Sequence, residues 1–69
     1  MAPPGLAILD GLRVREELHR RALTQKALAA KIGVRRATVT DAIRGKPVRA
    51  LILYRIALAL ELTDVVSPA

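Results

Sequence analysis

The chain has 69 residues, with twelve Lys and Arg against six Asp and Glu, a formal charge of +6, no cysteine and a single histidine. That length allows one domain with one small core, and without cysteine there is neither a disulfide staple nor a thiolate metal site. Phe and Trp are absent, so any core is aliphatic, and stability must come from packed helices, helped by self-association where a face is left over.

All twelve basic residues lie between Arg13 and Arg55. From Lys31 to Arg49 there are six (Lys31, Arg35, Arg36, Arg44, Lys46, Arg49) against one acid, Asp41, a local excess of +5. Such a field suits a polyanion. The run Ala50–Leu60 is too short to cross a membrane and contains Arg55. Met1-Ala-Pro-Pro-Gly lacks a basic leader followed by a long apolar run. With no cysteine present, these features lead us to expect a cytoplasmic protein.

Pro3, Pro4 and Gly5 predict an extended arm over residues 1–9, whose Leu6, Ile8 and Leu9 lie on the domain or on a partner subunit. Asp10 caps a first helix over about 11–22, with Leu12, Val14, Leu18 and Ala22 as its buried side. Thr24 caps a second, Gln25–Ile32, with an apolar stripe of Ala27, Leu28, Ala29 and Ile32. Gly33 can end it in the left-handed region, and Val34 plugs the corner. A third helix from about Arg36 to Arg44 turns Val39, Ala42 and Ile43 inward and Arg36, Ala37, Thr40, Asp41 and Arg44 outward, and Gly45 ends it. Two short helices around a tight turn, the second opening on two arginines, have the layout of a helix-turn-helix. Lys46-Pro47-Val48 is a loop, a fourth helix covers about 49–60, Leu62 to Val66 is a fifth turn capped by Thr63, and Ser67-Pro68-Ala69 fray. Nothing alternates with period two, so the expected fold class is all-α, a compact bundle of four to five short helices without a sheet. The domain is expected over 10–66.

The fourth helix carries two apolar stripes. Ile52, Leu53, Ile56, Ala57 and Leu60 suffice for the core, while Leu51, Tyr54, Leu58 and Leu62 form a second row at spacings of three and four. A surface helix needs one such row. The second implies burial against a twin subunit or beneath the folded-back arm.

The anchors Leu23-Thr24-Gln25, Leu28-Ala29, Ile32-Gly33-Val34, Thr38-Val39, Gly45 and Arg55-Ile56-Ala57 followed by Ala59-Leu60 resemble the lambda-repressor-like, Cro/C1-type (xenobiotic-response-element) DNA-binding domain of bacteria and phages, over roughly residues 10–66. The resemblance implies a small transcription regulator, a repressor binding double-stranded DNA, with no cofactor expected; the second apolar row adds a homodimer on a near-palindromic operator. The resemblance places base contacts at Arg36, Ala37 and Thr40, and a phosphate on Gln25, whose amide and neighbouring backbone N–H groups can hold one oxygen. Asp41 either accepts from cytosine N4 or pairs with Arg44 or Lys31 and orients them. Thr38 supports packing or reaches the backbone. Arg35, Arg44, Lys46 and Arg49 flank the reading helix as phosphate clamps. Two departures stand out: Arg35 occupies the capping position where the family often has Ser or Thr, and Glu61 stands where a helix-ending Gly is common.

Another reading is a protein-interaction module whose doubly apolar fourth helix binds a toxin, sigma factor or phage protein. An enzyme is not expected. There is no glycine-rich phosphate loop and no metal constellation, and Glu16 and Glu17 sit about 100° apart on a helix, so they do not form an acid–base pair.

Overall fold

The computed structural model describes residues 5–69. Strand β1 (Leu6–Leu9) leads into α1 (Gly11–Arg20), α2 (Gln25–Ile32) and α3 (Arg36–Ile43). A two-residue strand β2 (Val48–Arg49), α4 (Ala50–Ala59) and β3 (Val66–Pro68) follow. Two of the helices, α1 and α2, start at side-chain caps. The Asp10 carboxylate accepts from the N–H of Arg13 at 3.3 Å, and the Thr24 hydroxyl oxygen accepts from that of Ala27 at 3.0 Å.

All four helices stop in the same way, with a residue that bonds backward across the last turn. Leu23 N–H donates to Leu18 O, Val34 to Ala29 O, Lys46 to Asp41 O and Leu62 to Ala57 O, at 2.8–3.0 Å. The residue before each donor takes a positive φ: 53° at Ala22, 75° at Gly33, 85° at Gly45 and 55° at Glu61. Glycine meets that requirement at two ends without a Cβ penalty. At the other two, Ala22 and Glu61 are held there by the contacts around them. Arg21 makes one such contact set, its guanidinium donating to the Leu60 carbonyl oxygen at 2.9 Å and pairing with Glu61 at 3.1 Å, which ties the end of α1 to the end of α4.

The core is aliphatic, as the composition requires. Val14 and Leu18 of α1, Leu28 and Ala29 of α2, Val39, Ala42 and Ile43 of α3, and Leu53, Ile56 and Ala57 of α4 join Leu60 and Val65 in one buried cluster. Three expected core positions differ. Leu12 is 68% exposed, and Ala22 and Ala27 are also at the surface. Leu12 lies two residues from Val14, about 200° around the helix, so one narrow face cannot bury both.

The all-α expectation is corrected by a three-stranded antiparallel sheet in the order β2-β1-β3. The segment expected as an arm contributes the central strand; its first four residues lie outside those described. Leu6 pairs with Arg49 and Ala7 with Val48 on one side, while Ala7, Ile8 and Leu9 pair with Pro68, Ser67 and Val66 on the other. The tail expected to fray is thus an edge strand, where a proline is tolerated because no ladder bond is asked of it. The fifth helical turn is absent too. Asp64 adopts φ 59° and the chain runs extended into β3, with the N–H of Asp10 donating to Val65 O at 2.7 Å and the Arg13 guanidinium to Thr63 O at 3.1 Å. Ala7 and Leu9 face the core. The described part of the arm therefore packs beneath the domain, and among the described residues Leu51, Tyr54 and Leu58 of the second row of α4 remain 64%, 60% and 81% exposed.

Two measurements test this packing. At Gly11 an added Cβ would stand 1.9 Å from the backbone carbonyl oxygen of Ile43. That oxygen cannot step aside like a side-chain tip, so Gly11→Ala is expected to destabilise the fold by about 1–3 kcal/mol or more, read as a drop in the urea midpoint. Glu17 accepts from Arg20 and from Arg21 (2.5 Å to Arg21 Nε), and these two guanidinium hydrogen bonds hold its carboxyl down at about 2. A carboxyl depressed in the folded state contributes stability that is complete above its ordinary value of 4.5 and is lost as pH falls through 2. The melting temperature should therefore decline across that window, and the Glu17→Gln variant should decline less over the same range.

Candidate nucleic-acid interface

α3 buries Val39, Ala42 and Ile43 and leaves its opposite side to solvent. Arg36 and Ala37 are exposed, Thr40 and Asp41 are half-buried, and Arg44, the C-cap, is exposed. Positions 36, 37, 40 and 44 recur at helical spacing, so they make one outward face. Gly33 sets this orientation. Its left-handed φ of 75° reverses the chain at the end of α2 and sends it through half-buried Val34 into α3, which packs directly on α2.

The cationic residues border this face from end to end. Arg35 precedes α3, Arg44 ends it, Lys46 follows in the loop and Arg49 caps α4; all are exposed. The Asp41 carboxylate is the one acid among them, and it pairs with Lys46 at 3.5 Å. Sequence spacing pointed to Arg44 or Lys31 as its partner. The left-handed turn at Gly45 brings Lys46 back over the helix end, where its N–H also donates to Asp41 O at 3.0 Å.

The start of α3 has no side-chain cap. Arg35 holds the extended N-cap conformation, φ −73° and ψ 146°, but nothing in its side chain can accept from the first N–H groups. The opening turn of a helix leaves these donors unpaired and carries positive partial charge. Two arginines, Arg35 and Arg36, open the helix at this positive end, a combination that an anion would relieve.

The start of α2 lies against α3 through one bond that sequence spacing does not reveal. The Thr40 hydroxyl donates to Gln25 Oε1 at 2.8 Å, across fifteen residues of chain. Gln25, expected to seat a phosphate, is thus brought to the reading face, together with the unpaired N–H groups of the first turn of α2. Among the sequence-selected residues the structure gathers Gln25, Arg35, Arg36, Ala37, Thr40, Asp41, Arg44 and Lys46 on or around α3. Arg49 stands on the edge strand at the head of α4.

The fourth helix presents a different surface. Leu51, Tyr54, Arg55 and Leu58 form one exposed row at spacings of three and four, while Leu62 packs half-buried against the core. Leu6 of β1, 55% exposed, extends the apolar area, and an open groove of about 620 Å³ runs between Leu6, Ala50, Tyr54, Val66 and Pro68. Among the described residues no group of His, Asp and Glu is placed to hold a metal ion, and no helix is long and apolar enough to cross a membrane.

A family model described as helix-turn-helix matches residues 13–65. Comparison with curated proteins and with solved structures yields no match. The matched span runs from the third residue of α1 to the residue before β3, so it takes in α2, α3, α4 and all but the first two residues of α1, and leaves β1 and β3 outside.

The uncapped start of α3 gives a direct test of why an arginine stands there. Arg35→Ser supplies a hydroxyl that accepts from the free N–H groups and removes a like charge from the positive helix end. The variant is expected to be about 1 kcal/mol more stable, visible as a higher melting temperature, and to bind duplex nucleic acid more weakly than the parent chain.

Proposed function

The chain belongs to the Cro/C1-type, lambda-repressor-like helix-turn-helix family of DNA-binding transcription regulators, and from that premise we propose that it is a sequence-specific repressor acting as a dimer on a near-palindromic operator. The observation that carries this reading is the exposed α3 face, with Arg36 and Ala37 outward and Arg35, Arg44, Lys46 and Arg49 ranged around it.

Each group has a separate task. Arg36 opens the reading helix, where a guanidinium can donate to guanine O6 and N7 together, a pairing worth ~1–3 kcal/mol of discrimination. Ala37 offers a methyl to a thymine methyl. Arg35, Arg44, Lys46 and Arg49 take phosphates, and Gln25 takes another with the first N–H groups of α2. Phosphate contacts set the register and base contacts set the sequence. Asp41 holds Lys46 in place and accepts from a cytosine N4 where the operator offers one. Repression then follows from occupancy: a promoter covered by the protein is closed to polymerase.

The dimer reading rests on the row Leu51, Tyr54 and Leu58, joined by Leu6, with Leu62 at its buried margin. Apolar side chains this exposed and this contiguous are uncommon on a chain that stays single. A dimer suits the function, because paired reading helices ~34 Å apart meet two half-sites one turn of the duplex apart. The apolar row also suits a different protein, the reading in which this surface captures a toxin, sigma factor or phage protein.

Selection of bound duplexes from a random pool, followed by titration at two or more salt concentrations, tests the proposal. If four phosphates are neutralised per subunit, log K should fall with log salt at a slope of about −3.6 per subunit. Arg36→Ala should cost ~1–3 kcal/mol on the selected sequence and relax preference at one base pair. Leu58→Glu should convert a sedimenting dimer to monomer. Binding that ignores salt, or no binding to any duplex, would overturn the DNA reading; a wild-type monomer would overturn the dimer.

A further inference from the structure

We propose that Thr40, although it lies on the reading face, is a positioning residue that sets the amide of Gln25 for a phosphate and reads no base itself. This rests on the DNA-binding reading above and assigns one residue within it. A threonine hydroxyl has one hydrogen to give. In this structure that hydrogen goes to Gln25 Oε1 at 2.8 Å. Thr40 is half-buried where α2 meets α3, unlike Arg36 and Ala37, which are fully at the surface.

The bond decides which end of the Gln25 amide is free. With Oε1 held by the hydroxyl, Nε2 keeps both its hydrogens, and it makes no hydrogen bond among the described residues. The reverse orientation would set a carbonyl oxygen against an anion. Gln25 is also the first residue of α2, whose opening turn offers free N–H groups. The Thr24 hydroxyl takes that of Ala27 and the Thr24 carbonyl that of Leu28, leaving those of Gln25 and Lys26 without an intrahelical partner. Together they form a set of donors suited to one phosphate oxygen or two. Glutamine is long and flexible, and fixing it before contact removes an ordering cost from binding. Because the holding group lies on α3, the phosphate seat of α2 and the reading helix move as one body.

The test is a double-mutant cycle on the intact chain, with Thr40→Val, Thr40→Ser and Gln25→Ala titrated against the selected duplex and against duplexes changed at single base pairs. Valine keeps the shape and loses the hydroxyl; serine keeps the hydroxyl. We expect Thr40→Val to weaken every duplex by the same factor, about tenfold, from a hydrogen bond to a charged acceptor. The order of preference among duplexes should be unchanged, Thr40→Ser should restore binding, and Thr40→Val should add nothing on the Gln25→Ala background. In the DNA-free protein, the Gln25 side-chain NH2 signals should be ordered in the parent and in Thr40→Ser, and motionally averaged in Thr40→Val. Full additivity of the two losses, an altered base preference in Thr40→Val, or no loss in either variant would overturn the positioning role while leaving DNA binding intact. A parent chain that binds no duplex would overturn the DNA reading, and this assignment with it.

Discussion

The burial of Val39, Ala42 and Ile43 in the shared core is the contact on which the rest of the molecule depends. A core without Phe or Trp has no large side chain to fill a gap, so small aliphatic groups must meet at close range. Val14, Leu28, Val39, Leu53 and Ile56 are each fully buried, which means every helix supplies part of the same interior. Protein interiors are packed as densely as organic crystals, and an element seated in one has little freedom to rotate. Once three residues of α3 are seated inward, helical geometry leaves no choice about Arg36, Ala37 and Arg44. The cationic face is thus a consequence of the apolar one.

Close approach is visible elsewhere too. Gly11 lets the start of α1 come against the end of α3, at a distance no Cβ permits. The Arg21 guanidinium spans from α1 to the last turn of α4 and, with Glu17 and Glu61, ties together two chain reversals whose residues carry a side chain in the left-handed region. The Arg21–Glu61 pair, whose carboxylate is exposed, contributes little stability by itself. Here its part is geometric, holding Ala22 and Glu61 where glycine would otherwise be the natural choice.

The two surfaces left over have different chemistry. Around α3 the exposed groups are charged and their partners are sparse, since Asp41 is the only acid in the set and Lys46 occupies it. The uncapped α3 start belongs to the same pattern, a small loss of stability placed where an anion can offset it. On α4 the exposed apolar groups are Leu51, Tyr54 and Leu58, with Arg55 among them and Leu6 added by the strand.

Helix positions were legible in the chain because their signals are local. Asp10, Thr24, Gly33 and Gly45 act within one turn of themselves, and the apolar spacing of α2 to α4 repeats often enough to define an inward side. The outward residues of α3 followed from that spacing alone, and the charge around them from counting. The sheet was not legible. Strands of two to four residues are too short to show a period, Leu6-Ala7-Ile8-Leu9 is apolar at every position, and the partners of β1 lie about forty and sixty residues away. Nothing local distinguishes such a segment from a loose arm; only the folded helices, by bringing 48–49 and 66–68 alongside, give its N–H and C=O groups somewhere to go. The Thr40–Gln25 bond and the Asp41–Lys46 pair belong to the same class. Local sequence determined which residues are helical and which face outward, because capping and periodicity act over a few ångströms. Tertiary structure alone decided which polar groups meet, because those meetings depend on the angle between elements that only the packed core sets.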